Sequence, residues 1–214
     1  MTAMDRKGIL TFLLLTFGIT FVYEGCLLAS GINMNFGLSS SGPMPPAYAA
    51  ILVGLVINGV FGFGEELGWR GYLLPKLMPL GKWKAYILVG VIWGFWHAPL
   101  ILVGFNYSGF PILGVVAMIG MTTTLGFYIN EMTLRHRSSI LAGWMHGAFN
   151  GQFYGIWRIL FPNVHPLLGG VTGLIGMCVW AGLGLAVAQR AHGRPSPGSD
   201  DAVAGRDPSN RGSV

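Results

Sequence analysis

Apolar residues fall in long blocks along this chain, and polar residues are pushed into the gaps between them. A helical block of about 20 apolar residues matches the hydrocarbon thickness of a bilayer. The first block, Gly8 to about Ser30, is longer than a signal-peptide core and lacks a clear cleavage site, so it reads as a retained helix. The second runs from about Ala47 to Glu65, the third from about Ala85 to Val103 and the fourth from about Ile112 to Asn130. The fifth is about Ser139 to Leu160 and the sixth about Leu167 to Gln189. Between the second and third, Leu67 to Leu80 is amphipathic and carries Trp69, Tyr72 and Lys76, a pattern that suits a short interfacial helix. The expected architecture is all-α: a polytopic transmembrane helical bundle of about six spans with that interfacial helix. Residues 1–189 form the membrane domain. Arg190 to Val214, rich in Gly, Pro, Ser and Asp, is expected to be a disordered cytoplasmic tail. Asn33 to Pro46 reads as an uncharged loop.

Composition agrees with the pattern. The chain is 52% hydrophobic and only 10% charged, where soluble domains average about 25% charged. The alternating ten-residue segments of an outer-membrane barrel are not seen. The net charge of +5 comes from Lys and Arg in short loops. Such placement sets membrane orientation and gives no reason to expect a nucleic-acid partner. Arg6 and Lys7, Lys82 and Lys84, Arg135 and Arg137, and Arg190 and Arg194 flank alternate ends of the spans. The remaining loops lack Lys and Arg, apart from Arg158 near the end of the fifth span. Both termini are therefore expected on the cytoplasmic side of the cell's inner or plasma membrane. Cys26 and Cys178 lie in apolar segments with neither zinc-site nor disulfide spacing, and read as structural filler.

Against this background a few polar side chains stand out, because charge at membrane depth is costly and marks function by default. Glu65 and Glu66 end the second span, with Arg70 close behind. Residues four apart share a helix face, so Glu66 can pair with Arg70. Glu65 points about 100° away and stays available for chemistry. Read alone, the cluster serves equally well as an ion pair that ends a helix. The third span carries His97, with Trp93 one turn before it and Pro99 inviting a kink just after. His97 lies roughly 20 Å along the helix from Lys84 at about 1.5 Å per residue. The fifth span carries His146 and Asn150, again four apart. A single intramembrane histidine commonly acts as a hydrogen bonder between helices. Glu24, in the first span, reads as structural or interfacial.

Two carboxylates, two histidines and an asparagine from three spans gain most by meeting in one polar cavity. A carboxylate or imidazole can deprotonate water, and an amide and a second imidazole can donate to a developing oxyanion. The chemistry that fits is hydrolysis, by activated water rather than by a serine or cysteine nucleophile.

These motifs resemble those of the CPBP family of CAAX proteases and bacteriocin-processing enzymes. Glu65-Glu66-Leu67-Gly68-Trp69-Arg70 matches its Glu-Glu-x-x-x-Arg motif. Trp93 to His97 stands where the family has Phe-x-x-x-His, with tryptophan replacing phenylalanine, and His146 to Asn150 fits His-x-x-x-Asn. The three occur in the family's order, and the resemblance covers about Ile51 to Gly151. It implies an intramembrane glutamic endopeptidase similar to the type II CAAX prenyl protease. Glu65 would be the general base, His97 would hold or activate the water, and His146 with Asn150 would form the oxyanion hole. Glu66, Arg70 and Trp93 would support the site. The implied partners are the lipid bilayer and a membrane-associated peptide or protein substrate: a prenylated CAAX protein, a bacteriocin leader or another membrane peptide. No cofactor is required. Two alternatives stay open. Two histidines and a glutamate also make a catalytic zinc set, although no HExxH pair is present and Arg70 would oppose a cation. The same bundle could also serve as a non-enzymatic bacteriocin-immunity protein.

Overall fold

The computed structural model describes residues 5–29, 47–157, 160, 161 and 163–192. Among these residues the chain is mostly helical and contains no strand. The loop expected at Asn33 to Pro46 lies outside the described residues, as does the expected tail beyond His192. The helices are α1 (Arg6–Ala29), α2 (Ala47–Glu66), α3 (Leu74–Leu77), α4 (Lys82–Trp96), α5 (Ala98–Leu102), α6 (Pro111–His136), α7 (Ser139–Gln152) and α8 (Leu174–His192). Helix α6 lies between α4 and α8, and α2 runs along α7. Large apolar side chains stand exposed around the outside, including Leu14, Ile19 and Val22 on α1 and Ile112 and Val116 on α6. A soluble protein rarely presents so continuous an apolar surface, whereas a bilayer accommodates it. Among the described residues two helices, Arg6–Cys26 and Pro111–His136, are long and apolar enough to cross a membrane; the apolar helix Leu174–Arg190 is shorter.

Glycine sets the distances between helices. A Cβ added at Gly62 of α2 would sit 2.8 Å from the Gly147 nitrogen, and one at Gly147 would sit 2.5 Å from the Gly59 Cα. One at Gly94 of α4 would come within 2.5 Å of the Ile119 Cα on α6. Backbones touch at these crossings, as they do where small residues mediate membrane helix packing. Gly143 and Gly147 flank His146, so the contact that joins α2 to α7 also carries His146 toward the end of α2.

Three expected spans depart from single straight helices. After Glu66 the chain continues as a π-helical stretch, Leu67–Leu73, before α3. The backbone N–H of Leu74 accordingly bonds the Trp69 carbonyl, five residues back. Gly68 and Gly71 weaken the α preference there. Trp69, Arg70, Leu73, Leu74 and Leu77 of the amphipathic segment are buried. The third span breaks at His97 (φ −81°, ψ −4°), which ends α4. Pro99 then opens α5 without a backbone N–H to continue the ladder. The fifth span passes from α7 into a second π-helical stretch, Phe153–Trp157. The sixth helix begins at Leu174 instead of Leu167, because the preceding turn includes Gly170 in left-handed conformation (φ 68°). It continues to His192, three residues into the expected tail.

Candidate active site

Helices α2, α4 and α7 bring the motif residues together around one cavity of about 190 Å³. Glu65, His97, His146 and Asn150 all line it, with Trp93, Trp96, Met118, Leu125 and Phe149 among its apolar walls. Glu66 and Arg70 lie behind the wall, 0% and 2% exposed. The two adjacent acids thus meet different surroundings, as the 100° step between them requires.

Glu65 is held by two indoles. Trp93 Nε1 donates to its Oε2 at 2.9 Å and Trp69 Nε1 donates to the same oxygen at 3.4 Å. Glu65 itself lines the cavity. Trp93 serves the site in two further ways. The Arg70 guanidinium lies 4.5 Å above its ring, and its edge meets His146 with centroids 5.1 Å apart.

Glu66 Oε1 accepts from Arg70 Nη1 at 2.7 Å and from His146 Nδ1 at 2.9 Å. Arg70 Nε donates to Asn130 Oδ1 of α6 at 2.9 Å. A Cβ at Gly126, one turn earlier on α6, would come within 3.2 Å of Arg70 Nη2, so α6 leaves room for the guanidinium as well as binding it. Because a carboxylate only accepts, His146 carries a proton on Nδ1. Its Nε2 lies 3.1 Å from Asn150 Nδ2. His97 is fixed in the same sense, since its Nδ1 lies 2.9 Å from the Trp93 carbonyl oxygen, which also only accepts. The neutral His97 ring therefore keeps its lone pair on Nε2.

The sequence pattern did not point to Asn130 or to the roles of the Trp69 and Trp93 indoles. Asn130 ends an apolar run beside Glu131, and that adjacent polar pair is the signal for it. Glu131 itself makes a second buried cluster, accepting from Lys82 at 2.5 Å and from the Tyr86 hydroxyl at 3.1 Å. Glu24 is buried on α1 and does not line the cavity. Cys26 and Cys178 are exposed and unbridged. Among the described residues no three His, Cys, Asp or Glu side chains are grouped to hold a metal ion.

Residues 46–152, half of the chain, match the family described as type II CAAX prenyl endopeptidase Rce1-like. The chain belongs to this family. All three motifs, from Glu65 to Asn150, fall inside the matched segment. A CAAX prenyl protease 2 from Methanococcus maripaludis is 32% identical over 117 residues, covering 52% of this chain and 42% of the archaeal protein. The chain thus spans about two fifths of the length of that relative. No solved structure matches. Trp93 replaces the phenylalanine of the familiar motif, and here its indole N–H is used to bind Glu65, which a phenyl ring could not do.

Proposed function

We propose that this chain is an intramembrane endopeptidase that hydrolyses a peptide bond in a membrane-associated peptide or protein. The observation that carries the reading is the division of labour at the end of α2. Glu65 faces a cavity shared with His97, His146 and Asn150, while its neighbour Glu66 is sealed behind the wall with Arg70. The name of the archaeal relative makes a prenylated CAAX peptide the first substrate to test.

Water sits between Glu65 and the Nε2 lone pair of His97. Glu65 takes one of its protons as the oxygen attacks the peptide carbonyl carbon. Charge develops on the carbonyl oxygen, and the Asn150 amide offers it an N–H. His146 donates to the same oxygen only when its Nε2 is also protonated; in the neutral state it accepts from Asn150 and so orients the amide. Glu65 then returns its proton to the departing nitrogen, and the C–N bond breaks to give a carboxylic acid and an amine. Glu66 and Arg70 hold His146 in the Nδ1–H form throughout. The bundle crosses the inner or plasma membrane about six times with both termini cytoplasmic, a reading supported by the alternation of basic and uncharged loops.

The test is cleavage of a farnesylated CAAX peptide by the purified protein in liposomes made with ¹⁸O-labelled water. The proposal expects one new C-terminus carrying one ¹⁸O. Intact peptide after many hours, with folded protein, contradicts it.

A further inference from the structure

The cavity has further polar lining that the three motifs do not account for. Asn106 and Tyr154 line it together with Glu65 and Asn150. Tyr154 lies in the π-helical stretch after α7, and its hydroxyl donates to Asn106 Oδ1 at 3.1 Å. Asn106 belongs to the turn between α5 and α6. It has a left-handed backbone, with φ 60°, one of two such non-glycine residues among those described. Asparagine tolerates that conformation better than most residues, but its persistence still requires the surroundings to impose it.

The surroundings do so from both sides. The next residue, Tyr107, is fully buried, and its hydroxyl donates to the Thr172 carbonyl at 3.0 Å, pinning the turn to the segment before α8. The Phe105 N–H donates to the Leu100 carbonyl at 3.0 Å, and the Phe105 ring lies 5.8 Å from that of Tyr154. Asn106 is thus presented by a rigid turn to a cavity with largely apolar walls. With its Oδ1 engaged by Tyr154, its Nδ2 supplies the N–H donors.

We infer that Asn106, positioned by Tyr154, binds a backbone carbonyl of the substrate peptide away from the cleaved bond. This rests on the endopeptidase reading and adds a subsite to it. Asn106 and Asn150 line the same cavity from different elements, so a peptide held at Asn150 can offer a second carbonyl to Asn106. Such a contact holds the bond to be cleaved in place against sliding, which is where positioning contributes to rate.

The experiment measures binding apart from cleavage. In the Glu65→Gln background, the Kd of an uncleaved farnesylated CAAX peptide is measured in nanodiscs for Asn106, Asn106→Gly, Asn106→Asp and Tyr154→Phe. Glycine accepts the left-handed backbone, so Asn106→Gly keeps the turn. Loss of one hydrogen bond predicts a rise in Kd of about fivefold to tenfold for either Asn106 variant. A scan of single thioamides, which weaken one carbonyl acceptor at a time, supplies a readout that a merely structural role would not move. One thioamide position other than the cleaved carbonyl should weaken binding to the Asn106 protein and leave the Asn106→Gly protein unaffected. Unchanged Kd across the variants, or no thioamide position that couples to Asn106, overturns the subsite. Failure of the Glu65 protein to cleave the same peptide overturns the peptidase reading instead, so the two failures are separable.

Discussion

Replacing Glu66 with glutamine keeps the outline of the side chain and removes one buried charge. Its Oε1 now accepts from Arg70 at 2.7 Å and from His146 at 2.9 Å, and the pair with Arg70 is 0% exposed at both side chains. A glutamine oxygen can still accept both bonds, so the loss is the charge that balances the guanidinium. Arg70 would retain only neutral partners among the described residues: the new glutamine, the Asn130 amide and the Trp93 ring. Breaking a buried pair from one side costs roughly 3–5 kcal/mol. For a chain of this size that lowers the melting temperature by on the order of 10 °C. Adding Arg70→Met removes the stranded cation but leaves Asn130 Oδ1 without its donor, at about 1–3 kcal/mol. The double variant should thus recover about 2 kcal/mol relative to Glu66→Gln. Glu65→Gln behaves differently, because its indole donors, Trp93 at 2.9 Å and Trp69 at 3.4 Å, bond an amide oxygen as well as a carboxylate. Its melting temperature should stay within a few degrees of the parent. The assay is thermal unfolding in detergent for the three variants and the parent. A Glu66→Gln protein as stable as the parent, or a double variant less stable than the single, refutes the argument.

Gly147→Ala pushes a methyl against the Gly59 backbone, where its Cβ would lie 2.5 Å from the Cα. It should cost about 1–3 kcal/mol and separate His146 from Glu66, seen as lower melting temperature together with slower cleavage. Purified protein stripped of metal by chelation should cleave at the parent rate; activity that disappears and returns only with zinc would establish the zinc alternative. Reporter fusions after Asn35, Lys84, Phe110, Arg137 and Asn163 should read out, in, out, in, out, and a periplasmic signal at Lys84 or Arg137 would contradict the topology.

Much of the site was legible in the sequence because it depends on helical spacing. The four-residue interval from Glu66 to Arg70 predicts their pairing, and the interval from His146 to Asn150 predicts a shared face; both contacts are present. Pro99 announced the break at His97. Other features depend on relations that spacing along one helix does not carry. Asn130 reaches Arg70 across 60 positions of sequence. The indole of Trp93 reaches Glu65 across 28 positions of sequence. The π-helical stretch after Glu66 follows from tertiary packing acting on a glycine-rich segment, so the apolar pattern predicted an ordinary amphipathic helix instead. The late start of α8 at Leu174 has a local cause, Gly170 with φ 68°, hidden within an apolar run that reads as one span.

The central claim is that Glu65 supplies the base for the attacking water, and single-turnover cleavage by Glu65→Gln tests it most directly. A positioned general base contributes about 10²–10⁴-fold. The account predicts that Glu65→Gln, reconstituted in liposomes with a farnesylated CAAX peptide, binds the peptide as the parent does and cleaves it at least about 100-fold more slowly. Cleavage by Glu65→Gln within a few-fold of the parent rate, in protein that binds and melts normally, would contradict it.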